Sequence, residues 1–315
     1  MLLNTLLKIK RSPSGMSVYH GITALGALPY RIWHNAFPET IVLLYHRVGT
    51  VPIDPHTLAV SSKNFDAQLA YLKKNASVIS VFDLYQTLIT GNVPKRSIII
   101  TFDDGYEDNY TNAFPLLKKY GLPATIFATG DANPSEEIWI DQLMQVADPG
   151  ERRYQELFEQ LKQLTTAERT RQIQELCHKK SVTPTVRSDY RRLNVEQLRE
   201  MINSGLITVG GHTISHSKLS KLSIDEQENE ISRNAGFIAS LGSQSIIPFA
   251  YPFGSRLDFT AETIGIVKRF YPIAFAAYRG RIKKNADLYR IPRFAVKDED
   301  EKLFAKRLRD FWGRI

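Results

Sequence analysis

The chain has 315 residues, room for one large α/β domain, and 43% of them are hydrophobic, too many for a disordered polymer. Its 41 Lys and Arg against 33 Asp and Glu give a net charge of +8, which favours acidic partners such as an anionic polymer or a phospholipid surface. No run of five or more Lys or Arg occurs, so nucleic acid is not expected as a partner. The lone cysteine, Cys177, excludes an internal disulfide and a zinc site built from several thiolates. No stretch approaches the roughly 18 consecutive apolar residues that span a bilayer. In MLLNTLLKIKRSPSG the positive charges follow the short apolar run, the reverse of a secretory signal. The expectation is a cytoplasmic location, with peripheral membrane contact allowed.

In chain order, residues 1–36 read as an N-terminal extension, and an α/β barrel is expected over 37–298. Its strand candidates are Ile41–Tyr45, Ser97–Thr101, Ala124–Ala128, Ile207–Gly210, Ile247–Tyr251 and Ile273–Ala277. Each is short and almost wholly apolar, as strands covered on both faces are. Helices fit between them. Asn64–Lys74 aligns Phe65, Leu69 and Leu72 on one stripe, and Asn112–Tyr120 stops at Gly121-Leu122-Pro123. Asp225–Ser240 carries Ile231, Phe237 and Ile238 among charges. From about 131 to 195 the strand signal disappears, and the charged, Leu-containing stretch Glu151–Lys180 predicts a helical insertion on a barrel loop. The tail at 299–315 predicts an amphipathic helix, with Leu303, Phe304, Leu308, Phe311 and Trp312 opposite Lys and Arg. Such a helix packs on the barrel or lies on a membrane surface.

Three strand ends carry chemistry. In TFDDGYEDNY a buried strand runs into Asp103 and Asp104, two carboxylates that repel unless a cation or proton separates them. An ordinary Asp-Asp-Gly turn has the same letters. In GGHTISHSKLS, His212 and His216 stand four apart, so one helical turn aims both imidazoles at one metal. Gly210 and Gly211 let the backbone bend out of the preceding strand. Two helix-surface histidines are the plainer reading, yet both motifs follow strands and so meet at the same barrel rim. Two His and one carboxylate leave positions open for water and substrate. The third end, FAYPFG at Phe249–Gly254, offers a backbone N–H to an oxyanion or is a plain turn. Trp139 and Asp141, opening the insertion, are candidates to stack on and hydrogen-bond a sugar ring, or to sit in a core.

Together these motifs resemble the polysaccharide deacetylase family, also called the NodB-homology domain or carbohydrate esterase family 4. TFDDG is similar to the family's first motif, HTISH to its second, and YPFG to a variant of its third. LLYHRV at 43–48, NFDAQLAYLKK at 64–74 and LKKYGLPATIFATG at 117–130 resemble its flanks. The likeness runs over about 40–130 and 195–295, with the insertion outside it. It implies a distorted (β/α) barrel that hydrolyses N-acetyl groups from N-acetylated amino sugars of a polysaccharide or glycoconjugate, using a divalent metal, usually zinc. By position it implies Asp104, His212 and His216 as metal ligands and Asp103 as general base. Tyr251, Pro252 and Phe253 would surround the substrate and the oxyanion.

The sequence departs from the family in two places. Ala250 stands where the family often has an Arg that orients the base, and no His follows His216 where a late general acid is usual. Arg290 and Arg293 fall at that late position; Arg293 is expected to pair with Asp103 or steady the oxyanion, its loss costing turnover far more than stability. The leaving amine takes its proton from His46, at the end of LLYH, or from Asp103. His20, His34, His56 and His178 have no partner pattern and read as incidental. Two other functions stay open: a deacylase or deformylase of a lipid-linked amino sugar at the membrane face, and a catalytically inactive carbohydrate-binding module.

Overall fold

The computed structural model describes residues 39–91, 96–130 and 135–313; the N-terminal extension lies outside them. Ten strands follow in order: β1 (Thr40–Tyr45), β2 (Arg47–Val48), β3 (Ala59–Val60), β4 (Ser77–Val78), β5 (Ser97–Phe102), β6 (Ala124–Ala128), β7 (Ile207–Gly211), β8 (Phe249–Ala250), β9 (Ala274–Phe275) and β10 (Phe294–Ala295). The apolar runs TIVLLY, SIIITF and ATIFA are buried along their whole length, the mark of strands sandwiched between helices and a barrel interior. They build one curled parallel sheet in the order β10-β1-β5-β6-β7-β8-β9. Parallel pairing sends every return across a face of the sheet, so all C-terminal strand ends emerge on one rim. Ile291 bridges to Phe275, while Phe294 pairs with Leu43 three residues later. The segment 291–295 therefore touches both edges and bends the sheet into a half-barrel.

The helices are α1 (Ser62–Asn75), α2 (Val81–Ile89), α3 (Phe114–Tyr120), α4 (Trp139–Val146), α5 (Arg152–Leu161), α6 (Thr166–Lys179), α7 (Val195–Asn203), α8 (Ile224–Ser240), α9 (Ala261–Phe270) and α10 (Glu301–Gly313). Capping boxes open α2 (Ser80, Asp83), α6 (Thr165, Glu168) and α8 (Ser223, Glu226). Each N-cap is worth about 1 kcal/mol. The predicted stop after Tyr120 is a left-handed Gly121 with φ 59°. The insertion forms as α4, α5 and α6 around an apolar cluster of its own, which includes Leu143, Tyr154, Phe158, Leu161, Ile173 and Cys177. The tail helix α10 buries Phe304, Leu308 and Phe311, and Phe311 stacks on Phe294 at 4.0 Å. Most of its apolar side is spent on the barrel, while Leu303 stays exposed. No helix among the described residues is long and apolar enough to cross a membrane.

Two predicted strands come out shorter. Ile247–Tyr251 and Ile273–Ala277 shrink to β8 and β9. Pro248, Pro252 and Pro272 flank them and supply no ladder N–H. The two-residue strands β2, β3, β4 and β10 are too brief to show a period at all.

Candidate active site

At the end of β5, Asp103 is 3% exposed and Asp104 6%, and Asp104 adopts φ 73° ahead of Gly105 at φ 71°. At the end of β7, His212 is 1% exposed and His216 5%. The two histidines do not share a helical turn, as their spacing predicts. They sit in an irregular loop with Thr213 at φ 64° and His216 at φ 51°, and this left-handed backbone turns both imidazoles inward. Strained non-glycine positions of this kind persist only where surrounding contacts fix them. Neither Gly210 nor Gly211 takes a positive φ; a side chain on Gly211 would run into Tyr271 Oη and Asn234 Oδ1. Glycine is needed there for close approach, not for bending. Asn234 of α8 accepts from the His212 N–H at 2.9 Å and donates to the carbonyls of Ala128 and Gly130, tying β6 to β7 below the site.

Asp104, His212 and His216 each offer a ligand atom, all within 4.8 Å of one another. Asp104 Oδ1 lies 3.3 Å from His216 Nε2 and 3.5 Å from His212 Nε2. Ligands on a tetrahedral zinc with bonds of about 2.0–2.1 Å stand roughly 3.3 Å apart, so the spacing fits. His212 Nδ1 faces the Ala250 carbonyl at 2.7 Å, which puts the ring proton there and leaves Nε2 as a lone pair. Asp104 Oδ1 is buried with no hydrogen-bond partner. A lone pair and an unsatisfied carboxylate oxygen held this close call for a cation between them. The donor set, two imidazoles and a carboxylate, suits zinc.

Charge on this cluster is strongly coupled. Burial pushes the Asp104 carboxyl up, but His216 and His212 outweigh it and hold the pKa well below the usual range. Burial likewise opposes ionisation of Asp103, and Arg293 then His212 overcome it, so its pKa is lowered. Burial works against protonating His212, yet Asp103 and Asp104 raise its pKa. His216 goes the other way: burial lowers it and Asp104 does not compensate.

Arg293, 0% exposed, clasps Asp103 with both arms, Nη1–Oδ1 at 2.6 Å and Nη2–Oδ2 at 2.7 Å, and its Nε donates to the Ala276 carbonyl at 2.8 Å. The guanidinium missing at Ala250 thus reaches the carboxylate from the far end of the chain. Around the third motif the expectations need correction. Tyr251 is buried, stacks on Phe259 at 3.9 Å and spends its N–H on the Phe275 carbonyl. Pro252 has no N–H, and that of Gly254 donates back to Pro252 O. Phe253, at φ 60°, keeps the one amide of this turn that makes no hydrogen bond among the described residues, and its ring lies edge-on to His216 at 4.8 Å.

Trp139 is 6% exposed, stacks on Phe158 at 5.7 Å, and donates from Nε1 to the His216 carbonyl at 3.1 Å. Its place is behind the metal loop. His46 is half-buried at the same rim, near enough for its charge to act on Asp103 and Asp104. His56 is not incidental; it bonds Tyr154 Oη at 2.9 Å, and both Asp54 and Asp104 act against the burial that lowers its pKa. Sequence reading missed Glu230, whose carboxylate accepts from the N–H groups of Ile214 and Ser215 at 2.9 and 2.8 Å and from Ser215 Oγ at 2.6 Å. Its sequence signal, a Glu inside an amphipathic helix, looks like any solvated charge.

Asp141 is turned inward as well. It is buried, accepts from Tyr106 Oη at 2.9 Å, and burial pushes its pKa up to about 7. A raised folded pKa gives stability that is complete at low pH and lost as pH rises from the ordinary carboxylate range towards 7. Asp141→Asn, which keeps the acceptor for Tyr106, is expected to flatten that loss and to gain on the order of 2 kcal/mol at pH about 8. Urea melts across pH would show it; parallel curves for both proteins would refute it.

A parallel half-barrel with an Asp-Asp pair facing two histidines at its rim defines a class of hydrolase. The family model for polysaccharide deacetylase matches residues 90–270, over half of the chain. The chain belongs to the polysaccharide deacetylase family. It is 25% identical over 260 residues to the poly-beta-1,6-N-acetyl-D-glucosamine N-deacetylase of Staphylococcus aureus, covering 79% of this chain and 71% of that protein. The fold is similar to that of Streptococcus pyogenes deacetylase PplD, with a TM-score of 0.60 at 19% identity over 86% of this chain and 98% of that one. IcaB from Ammonifex degensii gives 0.59 at 21%, over 88% and 98%.

Proposed function

We propose that the chain removes N-acetyl groups from N-acetylated amino sugars of a polysaccharide or glycoconjugate, with zinc held by Asp104, His212 and His216. One observation carries this reading: Asp104 Oδ1 is buried, unsatisfied and aimed between two imidazole nitrogens, beside a second carboxylate locked by Arg293. Zinc there would polarise the amide carbonyl and acidify a water. Asp103, kept ionised by Arg293, is placed to take a proton from a water that attacks the carbonyl carbon. The free Phe253 N–H donates to the oxyanion that develops. Asp103 then hands the proton to the departing nitrogen as the C–N bond breaks, giving a free amine and acetate. His46 is the alternative donor. Arg293, which donates to Asp103 and to the Ala276 carbonyl, orients the base in this reading.

The Staphylococcus aureus relative acts on poly-β-1,6-N-acetylglucosamine, so N-acetylglucosamine oligomers are the first substrates to try. Mass spectrometry of such an oligomer after incubation with zinc-loaded protein is expected to show free amines on an intact backbone. Oligomers returned unchanged would count against the reading. Glu230 serves this site by holding the metal loop. Glu230→Gln is expected to weaken zinc binding by about tenfold, as loss of outer-shell support does. Equilibrium titration against a chelator measures it, and an unaltered affinity would remove Glu230 from the account.

A further inference from the structure

A cavity of about 660 Å³ opens between the insertion and the His212–His216 loop, walled by Trp139, Arg169 and Ile173 on one side and by Thr129, Ser215 and Arg233 on the other. Its size falls within the roughly 300–1,000 Å³ of small-molecule sites. Arg169 is 2% exposed, and its Nη1 is buried without a hydrogen-bond partner. Its Nη2 is satisfied only by neutral groups, the Ser215 carbonyl at 3.1 Å and Ser217 Oγ at 2.9 Å. Glu230 makes no direct ion pair with it: the two share Ser215 Oγ, and the Glu230 charge acts from behind it. Burial lowers the Arg169 pKa to about 10, against the opposing charge of Glu230. The carboxylates on the same walls are engaged elsewhere: Glu137 with Arg187 at 2.9 Å and Glu136 with Arg192 at 3.7 Å. Arg233 is exposed and pairs with no carboxylate among the described residues. An enclosed guanidinium with one unpartnered nitrogen, on the wall of a roomy cavity that a second arginine also lines, is an incomplete anion site.

We infer that this cavity is a non-catalytic subsite for an acidic sugar, carrying a carboxylate or phosphate, of the same glycan whose amino sugar is deacetylated. The inference rests on the deacetylase reading and narrows its substrate to an anionic polymer, in keeping with the chain's net charge of +8. Trp139 and Ser215 form both the cavity wall and the support of His216, so an acid bound there would lie directly behind a metal ligand.

The test compares acetate release from a hyaluronan hexasaccharide, which alternates glucuronate with N-acetylglucosamine, and from neutral N-acetylchitohexaose. Zinc-loaded protein is expected to show a KM lower by at least about tenfold for the acidic oligomer. That advantage should vanish in Arg169→Met and in Arg233→Gln; the second variant lies outside the metal loop, so a folding defect in the first does not spoil the test. Free glucuronate and glucose 6-phosphate, added separately as competitors, distinguish a carboxylate site from a phosphate site. Equal KM values in the unmodified chain, or an advantage that survives Arg233→Gln, overturn the inference. If neither oligomer releases acetate, calorimetric titration of the two acids decides the site alone. Binding lost in Arg233→Gln keeps the acid site while the deacetylase reading falls, and no binding ends both.

Discussion

Asp103→Asn is expected to leave a folded chain that still binds zinc and to lower turnover by about 10²–10⁴-fold, the range a positioned general base supplies. The substitution removes one proton-accepting oxygen while keeping the side chain's volume in a site only 3% exposed. The ligands Asp104, His212 and His216 remain in place. Asn still accepts one of the two Arg293 bonds, now 2.6 and 2.7 Å long, but the buried guanidinium loses its counter-charge. Some stability goes with it, so zinc stoichiometry and the melting midpoint must be read beside the rate. A loss of rate with zinc retained assigns the base. A variant as fast as the parent would give that role to another group.

Arg293→Ala is expected to damage both stability and rate. Arg293 is 0% exposed and its removal strands the Asp103 carboxylate in a dry site. Breaking a buried pair from one side costs about 3–5 kcal/mol. The cost of burying the Asp103 charge, now overcome chiefly by Arg293, would win, and its pKa would rise above the usual carboxylate range instead of sitting below it. The base would then be protonated at higher pH, and the acid limb of the rate profile should move upward. Arg293→Lys keeps the charge without the two-armed geometry and should restore the limb in part. The expectation from sequence weights turnover far more than stability; the full enclosure of Arg293, which nothing in LYRIPRF reveals, adds a stability cost to it. An unmoved melting midpoint together with an unmoved acid limb would refute the pairing's importance.

Much of the site was legible because its chemistry lies at strand ends. Asp103, Asp104, His212 and His216 follow uninterrupted apolar runs, and a parallel sheet brings all such ends to one rim. The mechanism of approach was not legible. The four-residue spacing of the histidines suggested a helical turn, whereas left-handed Thr213 and His216 do the turning, and such backbone states leave no trace in residue type. Trp139 and Asp141 read equally as sugar contacts or as core residues, because aromatic and acidic residues at a loop serve as either. Their burial comes from the insertion's own core, whose helices are long-range partners that periodicity cannot rank. The free Phe253 amide emerges only after its neighbours' hydrogen bonds are assigned one by one.

The most direct test is a zinc titration of the metal-stripped chain, following bound metal and acetate release from N-acetylglucosamine oligomers in the same samples. Release is expected to rise with occupancy and to level off at one zinc per chain, with neither signal in His216→Ala. Full activity in the stripped protein, or tight zinc binding that survives His216→Ala, would contradict the site.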